Sequence, residues 1–229
     1  MTPIFGIFMV KAVIFDWDGT LADTKRAVVQ AFQKVLVEVG CVVTERFIER
    51  RIGIGTKKTL EEALKECSII FNDEMLENLV REKIECQRDL FKTVSLFEGA
   101  TELLQELQGR TKIALATMSG RKVIDKLLPE KRIEDCFDVV VTADEVSKPK
   151  PDPEVFLVSA VKLGIDPEEC VVVEDSVFGV RAAKAANMKC IAVPSGAYTR
   201  EELQEERPDL MIYALTEKDS IMRLIFSNG

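Results

Sequence analysis

Short apolar runs alternate with amphipathic segments along most of the chain. Five runs rich in Val, Ile and Ala are typical of strands buried on both faces: KAVIFDW, TKIALAT, FDVVVT, CVVVED and KCIAVP. The segments between them have helical spacing; in PDPEVFLVSAVKLG we expect Asp152 as N-cap, Pro153 at the first helical position and Gly164 at the end. A last run, DLMIYAL, predicts an edge strand. The alternation predicts a doubly wound α/β fold on a parallel sheet.

One interval interrupts this alternation. Between about residues 24 and 94 the pattern is helical throughout, as in AVVQAFQKVLVEVG, whose apolar stripe consists of Val28, Ala31, Phe32, Val35, Leu36 and Val39. A crossover between parallel strands needs only one helix. We therefore expect an inserted all-helical domain, residues 24–94, and a Rossmann-like α/β core formed by residues 1–23 and 95–229.

Composition narrows the range of partners and compartments. The 229 residues carry a net charge of −8, which disfavours nucleic acid and membrane surfaces as partners. No apolar run approaches the roughly 20 residues of a membrane-spanning helix, and MTPIFGIFMV has no basic segment before it, so we expect no signal peptide. The six cysteines form no C-x-x-C pair and are expected as reduced thiols. We expect a cytoplasmic monomer or weak dimer.

The chain contains no histidine. This absence excludes Ser-His-Asp and Cys-His catalysis, histidine-ligated metals and an imidazole acid or base. Any catalysis must therefore use carboxylates, hydroxyls, lysines and a hard metal ion.

Polar residues with suitable chemistry follow four of the predicted strands. They are Asp16 and Asp18 after the first, Thr117 and Ser119 after the second, Lys148 after the third, and Glu174 and Asp175 at the end of the fourth. Ligands of open α/β sheets bind at the carboxyl ends of the strands. Clustered carboxylates repel one another, and a divalent cation relieves the repulsion; an all-oxygen set favours Mg²⁺. Acids, Mg²⁺, a lysine and a hydroxyl together indicate phosphoryl transfer.

Four segments resemble the motifs of one family. DWDGTLADT, IALATMSGR, SKPKPDPEVF and VVVEDSVFGVRAAKAANM occur in the order of the four motifs of the haloacid dehalogenase superfamily. The similarity extends over nearly the whole chain, and the helical insertion resembles the small cap of that superfamily. The Glu-Asp pair of the fourth segment is more similar to the sugar-phosphate phosphatase and β-phosphoglucomutase branch than to the Gly-Asp of many phosphoglycolate phosphatases.

The resemblance implies roles for particular residues. Asp16 would be the nucleophile and Asp18 the general acid and base. Mg²⁺ would be held by Asp16, the Asp18 carbonyl and Asp175, with Glu174 either as a further ligand or as a group that orients the ligands. Thr117 and Lys148 would bind the phosphoryl oxygens, with Lys150 as the alternative lysine. Three more residues are expected at the substrate pocket: Trp17 between the two aspartates, Met118 after Thr117, and Gly55 in the cap segment ERRIGIGTKKTL.

Three functions remain open. The first is a Mg²⁺-dependent phosphatase of a small phosphorylated metabolite, such as phosphoglycolate or a sugar phosphate. The second is a phosphomutase that uses the same phosphoaspartate, although the cap helix TKRAVVQAF lacks the histidine with which β-phosphoglucomutases control that intermediate. The third is a phosphoaspartate signalling module. Such modules are roughly half as long as this chain and carry their acidic pair before the acceptor aspartate, so this function is disfavoured. The sequence favours hydrolysis.

Overall fold

The computed structural model describes residues 10–90 and 94–227. Within them the strands are β1 Ala12–Phe15, β2 Ala22–Asp23, β3 Ser95–Leu96, β4 Lys112–Ala116, β5 Val139–Val141, β6 Cys170–Glu174, β7 Lys189–Ala192 and β8 Leu210–Met211. The α-helices are α1 Lys25–Glu38, α2 Glu45–Glu49, α3 Thr56–Glu66, α4 Asp73–Asp89, α5 Ala100–Leu107, α6 Arg121–Lys131, α7 Glu154–Leu163, α8 Val177–Ala185, α9 Arg200–Glu205 and α10 Lys218–Phe226. Residues 1–9, part of the predicted core, lie outside the described residues.

Six strands form one parallel sheet in the order β5-β4-β1-β6-β7-β8. The central strands β1 and β6 are buried at every residue, because helices cover both faces of the sheet. Burial on both faces explains why these strands are continuous apolar runs. The predicted α/β fold is confirmed, as is the predicted edge strand, which is β8.

Helix α7 begins one step later than its sequence indicates. Pro153 is the N-cap rather than the first helical residue, and the Asp152 carboxylate accepts a hydrogen bond from the Glu154 N–H at 3.1 Å. Gly164 ends the helix in the left-handed conformation, as expected (φ 69°). The N-cap predicted at Asp152 is therefore wrong by one residue: Pro153 occupies the N-cap position and the helix begins at Glu154.

A two-stranded antiparallel ribbon connects the helical insertion to the core. Strands β2 and β3 pair Ala22 with Leu96 and Asp23 with Ser95, so the chain leaves and re-enters the core at one place. Between them, helices α1 to α4 bury their own apolar cluster, which contains Val28, Val29, Phe32, Val35, Leu36, Cys41, Ile48, Leu60, Ala63, Leu64, Leu76 and Leu79. The predicted helical insertion is confirmed, and we propose residues 24–94 as the bounds of the cap domain.

Two cysteines of the cap differ from their predicted state. Cys41 and Cys67 form a disulfide, with 5.5 Å between their Cα atoms. They lie 26 residues apart in sequence, just after α1 and α3, and the packing of these helices brings them together. Cys86, Cys136, Cys170 and Cys190 are free, as expected. None of the helices in the described part of the chain is long and apolar enough to cross a membrane.

Candidate active site

The carboxyl ends of three neighbouring strands bring the predicted polar residues to one edge of the sheet. β1 leads into Asp16 and Asp18, β4 into Thr117, and β6 into Glu174 and Asp175. All five side chains are buried, and the apolar residues of the same strands belong to the hydrophobic core. The parallel register therefore collects four carboxylates and a hydroxyl in a small volume.

Three of these acids form a tight cluster. Single carboxylate oxygens of Asp16, Glu174 and Asp175 all lie within 4.8 Å of one another. Burial raises the pKa of Asp16 to about 7, and the charges of Glu174 and Asp18 act in the same direction while Lys150 opposes them. Burial and the neighbouring carboxylates likewise raise the pKa of Asp175 well above its usual range. The cluster is thus short of positive charge.

Lys150 supplies the cluster's one cation among the described residues. Its Nζ lies 2.6 Å from Asp16 Oδ1 and 2.6 Å from Glu174 Oε1, and its side chain is fully buried. Burial disfavours the ammonium form, but the two carboxylates outweigh it and raise the pKa of Lys150 above its ordinary value. The lysine therefore stays charged at neutral pH.

Lys148, the lysine favoured from the sequence, lies elsewhere. Its side chain is 71% exposed and its Nζ is 3.7 Å from Asp152 Oδ2. The reason is the turn at residues 149–152, closed by the Asp152 N–H donating to the Pro149 carbonyl at 3.1 Å, which leaves Lys148 outside and carries Lys150 into the core. The structure thus corrects the position of the site lysine from Lys148 to the alternative, Lys150.

Asp18 has a different environment from Asp16. Its Oδ1 accepts a hydrogen bond from Thr24 Oγ1 at 2.7 Å, and its Oδ2 accepts from Ser119 Oγ at 2.7 Å and from Thr117 Oγ1 at 3.4 Å. Hydroxyls therefore hold Asp18, while an ammonium group holds Asp16. The two aspartates, one residue apart, are suited to two different tasks.

Glu174 and Asp175 are both fixed by local structure. Glu174 Oε2 accepts hydrogen bonds from the N–H groups of Asp175 and Ser176, both at 2.9 Å, at the start of α8. Asp175 Oδ1 accepts from Thr20 Oγ1 at 3.0 Å. Gly19, in the left-handed conformation (φ 90°), lets the loop after β1 pass so close that a Cβ there would overlap the Asp175 carboxylate.

The three residues expected at the substrate pocket have different positions. Met118 and Gly55 line a cavity of about 20 Å³ between cap and core, together with Asp18 and Ser119. A Cβ on Gly55 would lie 3.4 Å from the Met118 terminal methyl, so the cap turn and the core loop pack closely here. The Trp17 side chain is instead fully buried in the core beneath the loop. Its indole therefore shapes the loop and does not line the cavity.

Three side chains of this region were not singled out from the sequence as site residues. The sequence assigns no individual role to Ser119 or Thr24, yet both donate hydrogen bonds to Asp18. Lys83, on cap helix α4, lines the same cavity as Asp18. Thr24 lies within the DWDGTLADT segment, which offered a signal, whereas nothing in the α4 pattern distinguishes Lys83 from solvated lysines.

The acidic cluster fits a hard divalent cation. Asp16, Glu174 and Asp175 offer only oxygen ligands with the spacing of a shared ion, and burial together with the neighbouring carboxylates raises the pKa values of Asp16 and Asp175. Mg²⁺ prefers carboxylates combined with water and phosphate oxygens. An ion at this position would remove the repulsion that the single ammonium of Lys150 leaves.

A capped α/β sheet with two aspartates, further acids and a lysine at its carboxyl edge defines a class of hydrolase. The profile of the family described as haloacid dehalogenase-like hydrolase matches residues 13–193. The chain belongs to this family.

Named relatives share most of the chain. A phosphorylated carbohydrates phosphatase from Thermotoga maritima is 34% identical over 184 residues, which cover 80% of this chain and 84% of the relative. A fructose-1-phosphate phosphatase from Escherichia coli is 32% identical over 183 residues, covering 79% and 95%. The crystal structure of a β-phosphoglucomutase from Clostridium difficile superposes with a TM-score of 0.83 at 27% identity, covering 91% of this chain and 93% of that one.

Proposed function

We propose that this protein is a Mg²⁺-dependent phosphatase that hydrolyses small phosphomonoesters through a phosphoaspartate on Asp16. One observation carries the proposal: Asp16 lies in an acidic cluster with Lys150, at 2.6 Å, whereas the neighbouring Asp18 is held by the hydroxyls of Thr24 and Ser119. Nucleophilic catalysis by a carboxylate needs an ionised group beside a group that can carry a proton. The two environments supply that difference.

In the first step an Asp16 carboxylate oxygen attacks phosphorus and the bond to the leaving oxygen breaks. Asp18, in its protonated form, gives its proton to the leaving oxygen, which departs as an alcohol. Lys150 and Thr117 are both buried beside the carboxylates, which supports a role for them in binding the phosphoryl oxygens. Their fixed donors favour the negative charge that spreads over these oxygens.

In the second step Asp18, now ionised, takes a proton from water as the water oxygen attacks phosphorus. The bond to Asp16 breaks, inorganic phosphate leaves, and both aspartates return to their starting states. Asp16, Asp175 and the Asp18 carbonyl would hold Mg²⁺, with Glu174 beside them. When bound, the ion neutralises phosphate charge and keeps Asp16 ionised.

Relatives and site geometry favour small phosphorylated metabolites as substrates. The Thermotoga maritima relative is named for phosphorylated carbohydrates and the Escherichia coli relative for fructose 1-phosphate. The cavity between cap and core, at about 20 Å³, holds little more than one water molecule, so the leaving group must be small or the cap must open for it.

Hydrolysis is favoured over transfer to a sugar hydroxyl. A mutase must keep its phosphoaspartate from water, and the chain has no histidine to link proton transfer to cap closure. The cap residues Lys25 and Arg26 lie on the helix where such a histidine would be expected, and neither has the imidazole that is suited to relaying protons near neutral pH.

A phosphate-release assay over a panel of phosphomonoesters tests the proposal. We expect Mg²⁺-dependent release that a chelator abolishes, and loss of release in Asp16→Asn, because an amide is a poor nucleophile. A parallel reaction with β-glucose 1-phosphate and a bisphosphate primer follows phosphate and glucose 6-phosphate together. Full activity in chelator would contradict the metal requirement, and isomer formation faster than phosphate release would identify a mutase.

A further inference from the structure

Cap helix α4 carries a buried lysine at the cavity that separates cap from core. Lys83 is 4% exposed, and it lines the cavity together with Asp18 and Ser119 of the core. Asp18 is the proposed proton donor to the leaving oxygen, so we expect the leaving part of the substrate at this cavity, which neither Asp16 nor Lys150 lines. The Lys83 side chain can therefore contact a substrate that is bound in this cavity.

The partners that the structure gives to the Lys83 ammonium are neutral. Nζ donates to Thr56 Oγ1 at 3.2 Å and to Gln87 Oε1, and it lies 4.4 Å from the centre of the Phe32 ring. Both oxygens of Asp18 are taken by hydroxyls. The ion pairs of the described residues include Lys150 but not Lys83. Lys83 is therefore a buried cation without a contacting anion.

A buried charge without an anion is unfavourable. Burial lowers the pKa of Lys83 to about 8, against the opposing influence of the Asp18 charge. Proteins that retain such a charge usually pair it with a counter-ion. The other cation that lines this cavity, Arg51, already has one, since its Nε lies 2.7 Å from Glu62 Oε2. Lys83 is the unpaired cation of this cavity within the described part of the chain.

The rest of the lining offers little to a polyhydroxylated leaving group. Its apolar members are Val28, Phe32, Ile52 and Met118. Thr59 Oγ1 is directed to the Gly55 carbonyl at 3.0 Å, so Thr56 provides the main additional hydroxyl. The unpaired Lys83 ammonium in this lining favours a compact anion over a sugar.

We propose that Lys83 is a specificity-determining residue that binds a second anionic group, a carboxylate or a phosphate, on the leaving part of the substrate. The proposal rests on the phosphatase function above. It makes the preferred substrate class small phosphomonoesters that carry another negative group close to the ester oxygen. The ammonium forms a charge-assisted hydrogen bond to that group, which is stronger than its bonds to Thr56 and Gln87.

The test compares substrates that differ in one charge. Phosphoglycolate and its amide have nearly the same size, but the amide lacks the carboxylate. We expect wild-type protein to prefer phosphoglycolate by about 10-fold or more in kcat/KM. Lys83→Met should reduce that preference to about one while changing kcat/KM for the amide by less than about 3-fold, and Lys83→Arg should retain part of it. Lys57→Gln, at an exposed cap lysine, is the matched control.

A second pair of substrates distinguishes the two anions. Ethylene glycol bisphosphate and 2-hydroxyethyl phosphate are compact and differ by one phosphate, so a Lys83-dependent preference for the bisphosphate assigns the site to phosphate, and a preference limited to phosphoglycolate assigns it to carboxylate. Equal treatment of both pairs by wild-type protein, or an equal loss on all substrates in Lys83→Met, overturns the proposal.

Binding separates this proposal from the proposed function. Asp16→Asn in Mg²⁺ should bind phosphoglycolate more tightly than the amide in calorimetry, and the added Lys83→Met substitution should abolish the difference. If wild-type protein hydrolyses the amide without any preference, the role of Lys83 is wrong and the phosphatase stands. If no phosphomonoester is hydrolysed but the binding difference appears, the phosphatase is wrong and the anion site stands.

Discussion

Two buried lysines, one in the core and one in the cap, have surroundings that are opposite in character. Lys150, in the core, lies 2.6 Å from each of two carboxylates, which raise its pKa. Lys83, in the cap, contacts a hydroxyl, an amide and an aromatic ring, and burial lowers its pKa to about 8. Burial is common to both, so the difference comes from the anions.

This contrast indicates that Lys150 stabilises the folded core, whereas Lys83 is suited to binding an anionic ligand. Lys150 completes the charge balance of Asp16 and Glu174 before any substrate arrives, and removing it leaves buried carboxylates unpaired. Lys83 is held in a place where its own protein supplies no contacting anion. We infer that the core half of the site is preorganised for the phosphoryl group, whereas the cap half gains its balance only with the rest of the substrate.

The largest expected effect comes from removing the core lysine. Lys150→Met should lower kcat/KM by about a thousandfold or more, equivalent to roughly 4 kcal/mol, because the phosphoryl oxygens and Asp16 lose a fixed cation. Lys148→Met is the matched control and should change kcat/KM by less than about 3-fold, since the Lys148 side chain is 71% exposed. Steady-state phosphate release measures both. A loss confined to Lys148→Met would restore the assignment made from sequence.

That pair of variants shows where sequence reasoning succeeds and where it stops. Asp16, Asp18, Glu174 and Asp175 could be placed together because they end apolar runs, and parallel strands end at one edge. The lysine could not be chosen between 148 and 150, because a turn with its own hydrogen bond decides which side chain enters the core.

Features that depend on packing between distant segments could not be predicted from the sequence either. Lys83 lies in DEMLENLVREKIECQRD, where charged residues outnumber apolar ones and a solvated face is the natural expectation. It becomes buried only because α4 packs against α1, whose Phe32 ring covers it. The Cys41–Cys67 disulfide likewise depends on how two helices end side by side. Periodicity predicts which face of one helix is buried, not which residues of two helices meet.

Unfolding free energies should separate the two lysines by sign. In chelator, Lys150→Met should lower the free energy of unfolding by about 3 kcal/mol, because it strands Asp16 and Glu174 among buried groups. Lys83→Met should leave it unchanged or raise it by about 1 kcal/mol, since it removes an unpaired buried charge. Urea unfolding at neutral pH measures both. Equal destabilisation by the two variants would abolish the distinction between them.

The pH dependence of stability sharpens the same comparison. The folded-state pKa of Lys83, about 8, lies below its ordinary value of 10.5. Between these values the unfolded chain binds more protons at Lys83 than the folded protein does, so stability rises with pH in this window. Its upper limit is about 3 kcal/mol, at 1.36 kcal/mol for each unit of pKa difference. Below about pH 8 the deficit is fully present.

The difference between wild-type protein and Lys83→Met isolates this contribution, because other titrating groups are common to both proteins. Urea unfolding at about pH 7 and about pH 10 should show wild-type stability gaining on the variant by about 1 to 3 kcal/mol. Saturating phosphoglycolate with Mg²⁺ in the Asp16→Asn background should shrink the gain, because a bound anion favours the ammonium. A constant difference across the window would contradict the unpaired charge.

The cavity that Lys83 and Asp18 line lies between cap and core, and Arg50 connects these two domains. Arg50 Nη1 lies 2.7 and 2.8 Å from the two carboxylate oxygens of Glu202, and its guanidinium carbon is 4.0 Å from the centre of the Tyr198 ring. The Tyr198 hydroxyl donates to the Arg50 carbonyl at 2.7 Å. These contacts connect the end of α2 in the cap with α9 in the core.

Breaking this contact should have the smallest effect of the series. The Arg50 and Glu202 side chains are 31% and 35% exposed, so water and salt screen the pair, and we expect about 0.5 to 1 kcal/mol from it. Glu202→Gln should therefore raise KM by about 2- to 5-fold with little change in kcat, because it weakens closure and leaves Asp16 and Asp18 in place. Glu205→Gln, at an exposed position of the same helix, is the control.

About 0.5 M salt should raise the wild-type KM towards that of Glu202→Gln and leave the variant nearly unchanged. An unchanged KM in Glu202→Gln, or the same rise in Glu205→Gln, would mean that closure over Lys83 does not depend on this ion pair.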